Sequence, residues 1–98
     1  MQPSETALKQ AILRAAVRLA RSRGFRSFLR RDVALEARTA TGTVSYHFGD
    51  MDELRAAVMT HAIQHEVLEI VAQGLAERHV LALKAPEALR RKAAQRLV

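Results

Sequence analysis

Arginine is the residue whose chemistry dominates this sequence, and histidine is the one whose spacing invites a metal. Sixteen Lys and Arg stand against ten Asp and Glu, a formal charge of +6 with a pI near 11.1. Such an excess points to a polyanionic partner. It is unevenly placed: through position 50 nine cations face four anions, a net +5, whereas beyond it seven face six, a net +1. His61 and His65 are four apart, the spacing of one helix face, with Glu66 and Glu69 close behind. Zinc needs three or four converging ligands and this spacing supplies two, so no metal and no cofactor are expected. The run His65-Glu66-Val67-Leu68-Glu69 also fails the zinc-protease pattern, because Glu69 stands where a second histidine belongs. There is no glycine-rich phosphate loop and no nucleophile beside a base at a telling spacing, so an enzyme is not expected.

The rest of the composition narrows the setting. No cysteine is present, which excludes disulfides and thiolate metal sites and suits a reducing compartment. No apolar run is long enough to span a bilayer, and the first residues lack a secretion-signal pattern. A cytoplasmic protein without a membrane role is therefore expected. Aromatic residues make up 4% of the chain while Ala, Leu and Arg dominate, a mixture that favours helix over sheet.

The elements that would position these residues can be read from periodicity and punctuation. A first helix is expected from about Ser4 to Arg23, capped by Ser4 or Thr6, with Leu8, Ile12, Ala15 and Leu19 on one face. Gly24 closes it in a left-handed carboxy-cap conformation, and Phe25 folds back as an anchor. A short helix from about Leu29 to Arg38 turns Val33, Ala34 and Ala37 inward; another, from about Thr41 to Phe48, does the same with Val44 and Phe48. The tight turn between them, around Arg38, Thr39 and Ala40, makes a helix-turn-helix. Asp50 followed by Glu53 starts a fourth helix, expected to run unbroken from Met51 to about Ala76. Its two apolar stripes, one of Leu54, Val58, His61, Leu68, Val71 and Leu75 and one of Ile63, Val67 and Ile70, exceed what a small domain can cover, so self-association is expected. Pro86 and Glu87 suit the start of a fifth helix with Leu89, Ala93 and Leu97 in a thin stripe, although a frayed basic tail fits as well. That stripe is too thin to hold the tail on a membrane surface. The fold class is all-α: a three-helix helix-turn-helix domain over 1–50, then a long fourth helix and a short fifth helix or tail over 51–98, with pairing expected in this second part.

The string RRDVALEARTATGTVSYHFGDMDEL from Arg30 to Leu54, preceded by ARSRGF, resembles the amino-terminal domain of the TetR family of transcriptional regulators. The resemblance covers about positions 9 to 60, and its most specific part is Gly42 to Gly49 followed by Asp52-Glu53-Leu54. It implies that the third helix enters the major groove of double-stranded DNA. Thr41, Gly42, Thr43 and Ser45 then lie at the base edges, small enough for close approach and rich in hydroxyls. Tyr46 and His47 match positions that contact the phosphate backbone or flank the bases. Arg31 matches a position from which a guanidinium reaches guanine or phosphate, and Arg30 and the first-helix arginines neutralise phosphates. The chain departs from the family pattern in four places: Phe28-Leu29 replaces the threonine or serine before the second helix, Arg38 the turn glycine, Ala40 the cap of the third helix, and Met51 a phosphate-binding lysine. Thr39 or Thr41 is expected to cap the third helix instead.

The resemblance implies a sequence-specific DNA-binding regulator, a repressor that binds a palindromic operator as a homodimer. Its pairing surface is expected from Ile63, Val67, Ile70, Val71, Leu75 and Leu89. The residues that follow the helix-turn-helix are too few to enclose a ligand pocket, so no small-molecule inducer is expected. The alternative is a protein-interaction module that pairs with another regulator and modulates it, as the altered caps and Met51 suggest.

Overall fold

The computed structural model describes residues 4–97, so the outermost positions of the two expected ranges, 1–3 and 98, lie outside the described residues. Every regular element among them is helical: α1 (Glu5–Arg23), α2 (Arg30–Ala37), α3 (Thr41–Phe48), α4 (Met51–Gln64), α5 (Leu68–Ala76), α6 (Val80–Leu83) and α7 (Glu87–Ala94), ending in a 3-10 turn (Gln95–Leu97).

Helix α1 starts where Ser4 Oγ accepts a hydrogen bond from the Ala7 N–H at 3.0 Å, satisfying one of the amides that a helix start leaves free. Its inward face carries Ile12, Ala15, Ala16, Leu19 and Ala20, all buried. Gly24 ends it with φ 103° and ψ 148°. The φ is positive, as a glycine stop requires, but the conformation is extended rather than the left-handed helical one expected. Phe25 folds back to 1% exposure and meets His79 edge-on, ring centroids 5.5 Å apart. Phe28 is fully buried in the α1–α2 loop, with the Arg55 guanidinium 5.6 Å above its ring.

Helices α2 and α3 fall where periodicity places them, with Val33, Ala34, Val44 and Phe48 inward. The turn between them rests on Arg38, which adopts the left-handed conformation at φ 58° and ψ 48°. The Thr39 N–H then reaches back to Ala34 O at 2.9 Å, the six-to-one bond of a Schellman closure. The expected cap of α3 by a threonine is not formed: Ala40 occupies the N-cap, with no side-chain hydrogen bond.

The largest departure is the fourth helix. It stops at Gln64 instead of continuing to Ala76. Glu66 takes φ 52° and the Val67 N–H bonds Ala62 O at 2.9 Å, while at Arg78, with φ 59°, the His79 N–H bonds Gly74 O at 2.8 Å. Arg38, Glu66 and Arg78 thus end three helices by the same closure, each in a conformation that disfavours a side chain by roughly 1 kcal/mol or more. The reversal at Glu66 folds α5 back on α4, and Ile70 and Val71 become fully buried. Gly74 permits this approach: a Cβ there would stand 2.9 Å from the Ala82 Cβ and closer still to the Met59 methyl. Two apolar stripes on one long helix are therefore two helices packed together.

Helix α6, unexpected from the sequence, is capped by His79 Nδ1, which accepts from the Leu81 N–H at 3.2 Å. Helix α7 begins at Pro86 and packs Leu89 and Ala93 inward, so this segment is a docked helix and not a frayed tail; Leu97, at 52% exposure, leaves the stripe. The expected pairing surface needs correction too. Ile70 and Val71 have no exposed area and Leu89 has 7%, while Ile63, Val67 and Leu75 are half-buried against the same cluster. Much of that surface is the chain's own core. One apolar cluster takes residues from both 1–50 and 51–98.

Candidate nucleic-acid interface

Helix α3 carries the densest set of expected contact residues. Val44 and Phe48 anchor it inward, so Thr41, Gly42 and Tyr46 stand exposed and Thr43, Ser45 and His47 half-exposed. Tyr46 shows 74% of its surface, a large exposure for an aromatic residue, and its ring meets that of His47 nearly at right angles, centroids 5.0 Å apart. Apart from its chain neighbours and its own helix backbone, no atom lies within 4 Å of the place a Gly42 Cβ would take. Internal packing thus gives no reason for glycine at this helix position, where it disfavours the helix by about 0.5–1 kcal/mol relative to alanine.

The helix starts differ in a way that matters for an anion. The first amides of α1 and α4 are capped by Ser4 and by Asp50, whose Oδ1 accepts from the Glu53 N–H at 2.8 Å. Neither α2 nor α3 has a side-chain cap, since Leu29 and Ala40 occupy those positions. Their leading N–H groups point outward with the positive end of the helix dipole, an arrangement suited to a phosphate oxygen.

Charge on the surface is sorted by ion pairing. Arg18 and Arg23 bind Glu36 and Asp32 of α2, at 3.0 Å each, and Arg21 binds Glu69 of α5 at 2.7 Å. These three first-helix arginines tie α1 to α2 and to α5. Arg30 and Arg31, on the first turn of α2, make no ion pair among the described residues, and neither do Lys9 and Arg14.

The second half of the chain braces the helix-turn-helix from behind. Gln73 Oε1 of α5 accepts from the Phe25 N–H, Arg26 pairs with Glu77 at 3.1 Å, and Arg55 Nη2 donates to Arg26 O at 3.3 Å. The loop after α1, which sets where α2 begins, is thereby tied to α4, α5 and the residue after α5.

Tertiary structure also groups residues that sequence spacing does not. Lys9, Ser45, Tyr46 and His47 share one groove between α1, α3 and α4; Glu5, Thr6, Lys9, Tyr46 and His47 line a second cleft between α1 and α3. Arg30 and Arg31 line neither. Glu5 and Lys9 carry no signal in the sequence, because only the crossing of α1 over α3 brings them to Tyr46. The Glu5 carboxylate raises the Tyr46 phenol above its ordinary value, first by a hydrogen bond and then by its charge. The paired histidines stack with centroids 4.3 Å apart; His61 is held below the ordinary histidine range by burial and then by the charge of His65. Among the described residues no group of three or more His, Asp or Glu could hold a metal ion, and no helix is long and apolar enough to cross a membrane.

No curated protein and no solved structure gave a significant match to the chain. Residues 12–58, from within α1 to within α4, match the family model described as bacterial regulatory proteins, tetR family, a family of DNA-binding regulators and not in general of enzymes. The matched residues contain the complete helix-turn-helix, the outward face of α3 and the uncapped starts of α2 and α3. Through this segment the chain carries an amino-terminal DNA-binding domain of the TetR type, similar to that of the tetR family of bacterial regulatory proteins.

Proposed function

We propose that this regulator is a repressor that binds a palindromic operator as a homodimer, with α3 of each copy in the major groove. The observation that carries this reading is the outward face of α3, where an unpacked glycine, three hydroxyl residues and an exposed Tyr46 surround an uncapped helix start. In the proposal Thr41, Gly42, Thr43 and Ser45 meet base edges, and Tyr46, His47, Arg30 and Arg31 meet phosphates or flanking guanine. Residues 1–50 read DNA, and residues 51–98 brace them and pair the copies. Of the pairing residues expected from the sequence, Ile63 and Leu89 line a groove between α4 and α7 with Pro86 and Ala88, and that groove is the proposed contact.

Arg31→Ala and Tyr46→Ala are expected to weaken operator binding by about 5- to 100-fold, the range of one lost charged or base-edge contact. Helicity and melting temperature should stay at wild-type values, since both residues are exposed. The operator is found by selecting bound sequences from a random DNA pool, and affinity is then measured by fluorescence anisotropy. Unchanged affinity in both variants would refute the reading face.

Gly42→Ala separates folding from recognition. With open space around the position, alanine should raise the melting temperature through a gain of up to about 1 kcal/mol in helix propensity. Operator affinity should fall, because the added methyl keeps the backbone from the groove. A variant both more stable and equally tight would place Gly42 away from DNA.

One observation favours the second reading, a module that pairs with another regulator: Leu29 and Leu35 of the α2 region are 47% and 75% exposed. Absence of binding to any DNA at low salt would select it.

A further inference from the structure

We propose that the cleft between α1 and α3 seats a DNA backbone phosphate, and that in the free chain Glu5 occupies this seat and competes with the phosphate for Tyr46. The inference rests on the DNA-binding reading above. Five residues line the cleft: Glu5, Thr6 and Lys9 of α1, and Tyr46 and His47 of α3. The Lys9 ammonium, the Thr6 and Tyr46 hydroxyls and an imidazole N–H of His47 are all donors for a phosphate oxygen. Glu5 is the exception, an acceptor and an anion among donors.

Its position explains why it is tolerated there. The Glu5 carboxylate lines the same cleft as the Tyr46 phenol and raises its pKa, so it contends for the donor that a phosphate would take. Lys9 makes no ion pair among the described residues. Its ammonium lies 5.5 Å above the Phe48 ring, which keeps the charge at the seam between α1 and α3. Tyr46 itself is 74% exposed, so the phenol can leave Glu5 for a backbone oxygen without moving α3. DNA must displace the carboxylate to enter, and Glu5 therefore lowers affinity through Tyr46 in particular.

Removing any anion from a DNA-facing surface tightens binding, so the test must isolate the path through Tyr46. Glu5→Gln keeps the side-chain shape and removes the charge. It is expected to tighten binding of a selected duplex by about two- to fivefold, the range of an exposed charge interaction. In a Tyr46→Phe background, which lacks the contested hydroxyl, that gain should vanish. Tyr46 is the chain's one tyrosine and there is no tryptophan, so ultraviolet titration reads its phenol directly; ionisation should occur at lower pH in Glu5→Gln than in the wild type. A gain of equal size in the Tyr46→Phe background, weaker binding by Glu5→Gln, or an unchanged phenol titration would each overturn the inference. Wild-type chain that binds DNA while Glu5→Gln binds identically overturns this inference alone. Wild-type chain that binds no DNA at low salt overturns the DNA-binding reading as well.

Discussion

Raising monovalent salt from about 50 to about 200 mM is expected to weaken DNA binding by roughly a thousandfold if two copies bind together. Each cation that neutralises a phosphate releases condensed counterions, so log affinity falls with log salt by about 0.9 per contact. The proposed interface offers Lys9, Arg30 and Arg31 as cations without ion pairs among the described residues. Two copies then give a slope of about −5, whereas one copy gives about −3 and roughly a fortyfold loss over the same range. The measurement thus tests DNA binding and the pairing of copies at once. Replacing Arg30 and Arg31 together by alanine should reduce the slope of the paired form by about 3 to 4. By contrast, Arg18→Ala should leave the slope nearly unchanged, because that side chain is engaged by Glu36. A slope near zero would end the reading of this face as a phosphate surface.

Phe28→Ala is expected to cost about 3–5 kcal/mol, the range of a truncated core phenylalanine. Phe28 is fully buried at a position where the family pattern leads one to expect a hydroxyl residue before α2. Its ring lies under the Arg55 guanidinium, whose Nη2 also donates to Arg26 O. Truncation opens a cavity and removes the surface on which that arginine rests. A domain of this size has a total stability of about 5–15 kcal/mol, so the loss should lower the melting temperature by more than about 10 °C. DNA affinity at low temperature should fall only as far as the folded fraction falls. Thermal and urea denaturation followed by circular dichroism measure the effect. A loss under about 1 kcal/mol would show that Phe28 does not anchor the loop.

Much of the helix-turn-helix is legible without coordinates. Helix α3 spans Thr41–Phe48 as periodicity predicts, and Ser4 and Asp50 make the caps their types suggest. These features depend on interactions within a few residues, which composition and spacing record directly. The break after Gln64 is different. Glycine is the usual mark of a left-handed helix stop, and here Glu66 takes that role, so no residue type announces it. Arg38 and Arg78 do the same; only for Arg38 does the family pattern give a hint, because a glycine is usual there.

Pairing between distant charges is equally silent along the chain. Arg18 and Glu36 are eighteen positions apart, and no local rule joins them. Arg18, Arg21, Arg23 and Arg26, which look like part of a basic DNA-facing stripe, pair with carboxylates of the chain itself.

The feature on which everything turns, the eight-residue helix α3, shows where the two sources of information divide. Its limits, its inward Val44 and Phe48 and its small outward residues follow from local periodicity and are contained in the order of residues. Which charges stay outside ion pairs among the described residues, which apolar residues stay outside the core, and what faces Tyr46 were settled by packing. Those outcomes depend on reversals at Glu66 and Arg78 and on the crossing of α1 over α3, where contacts between remote segments outweigh the local cost of a strained backbone.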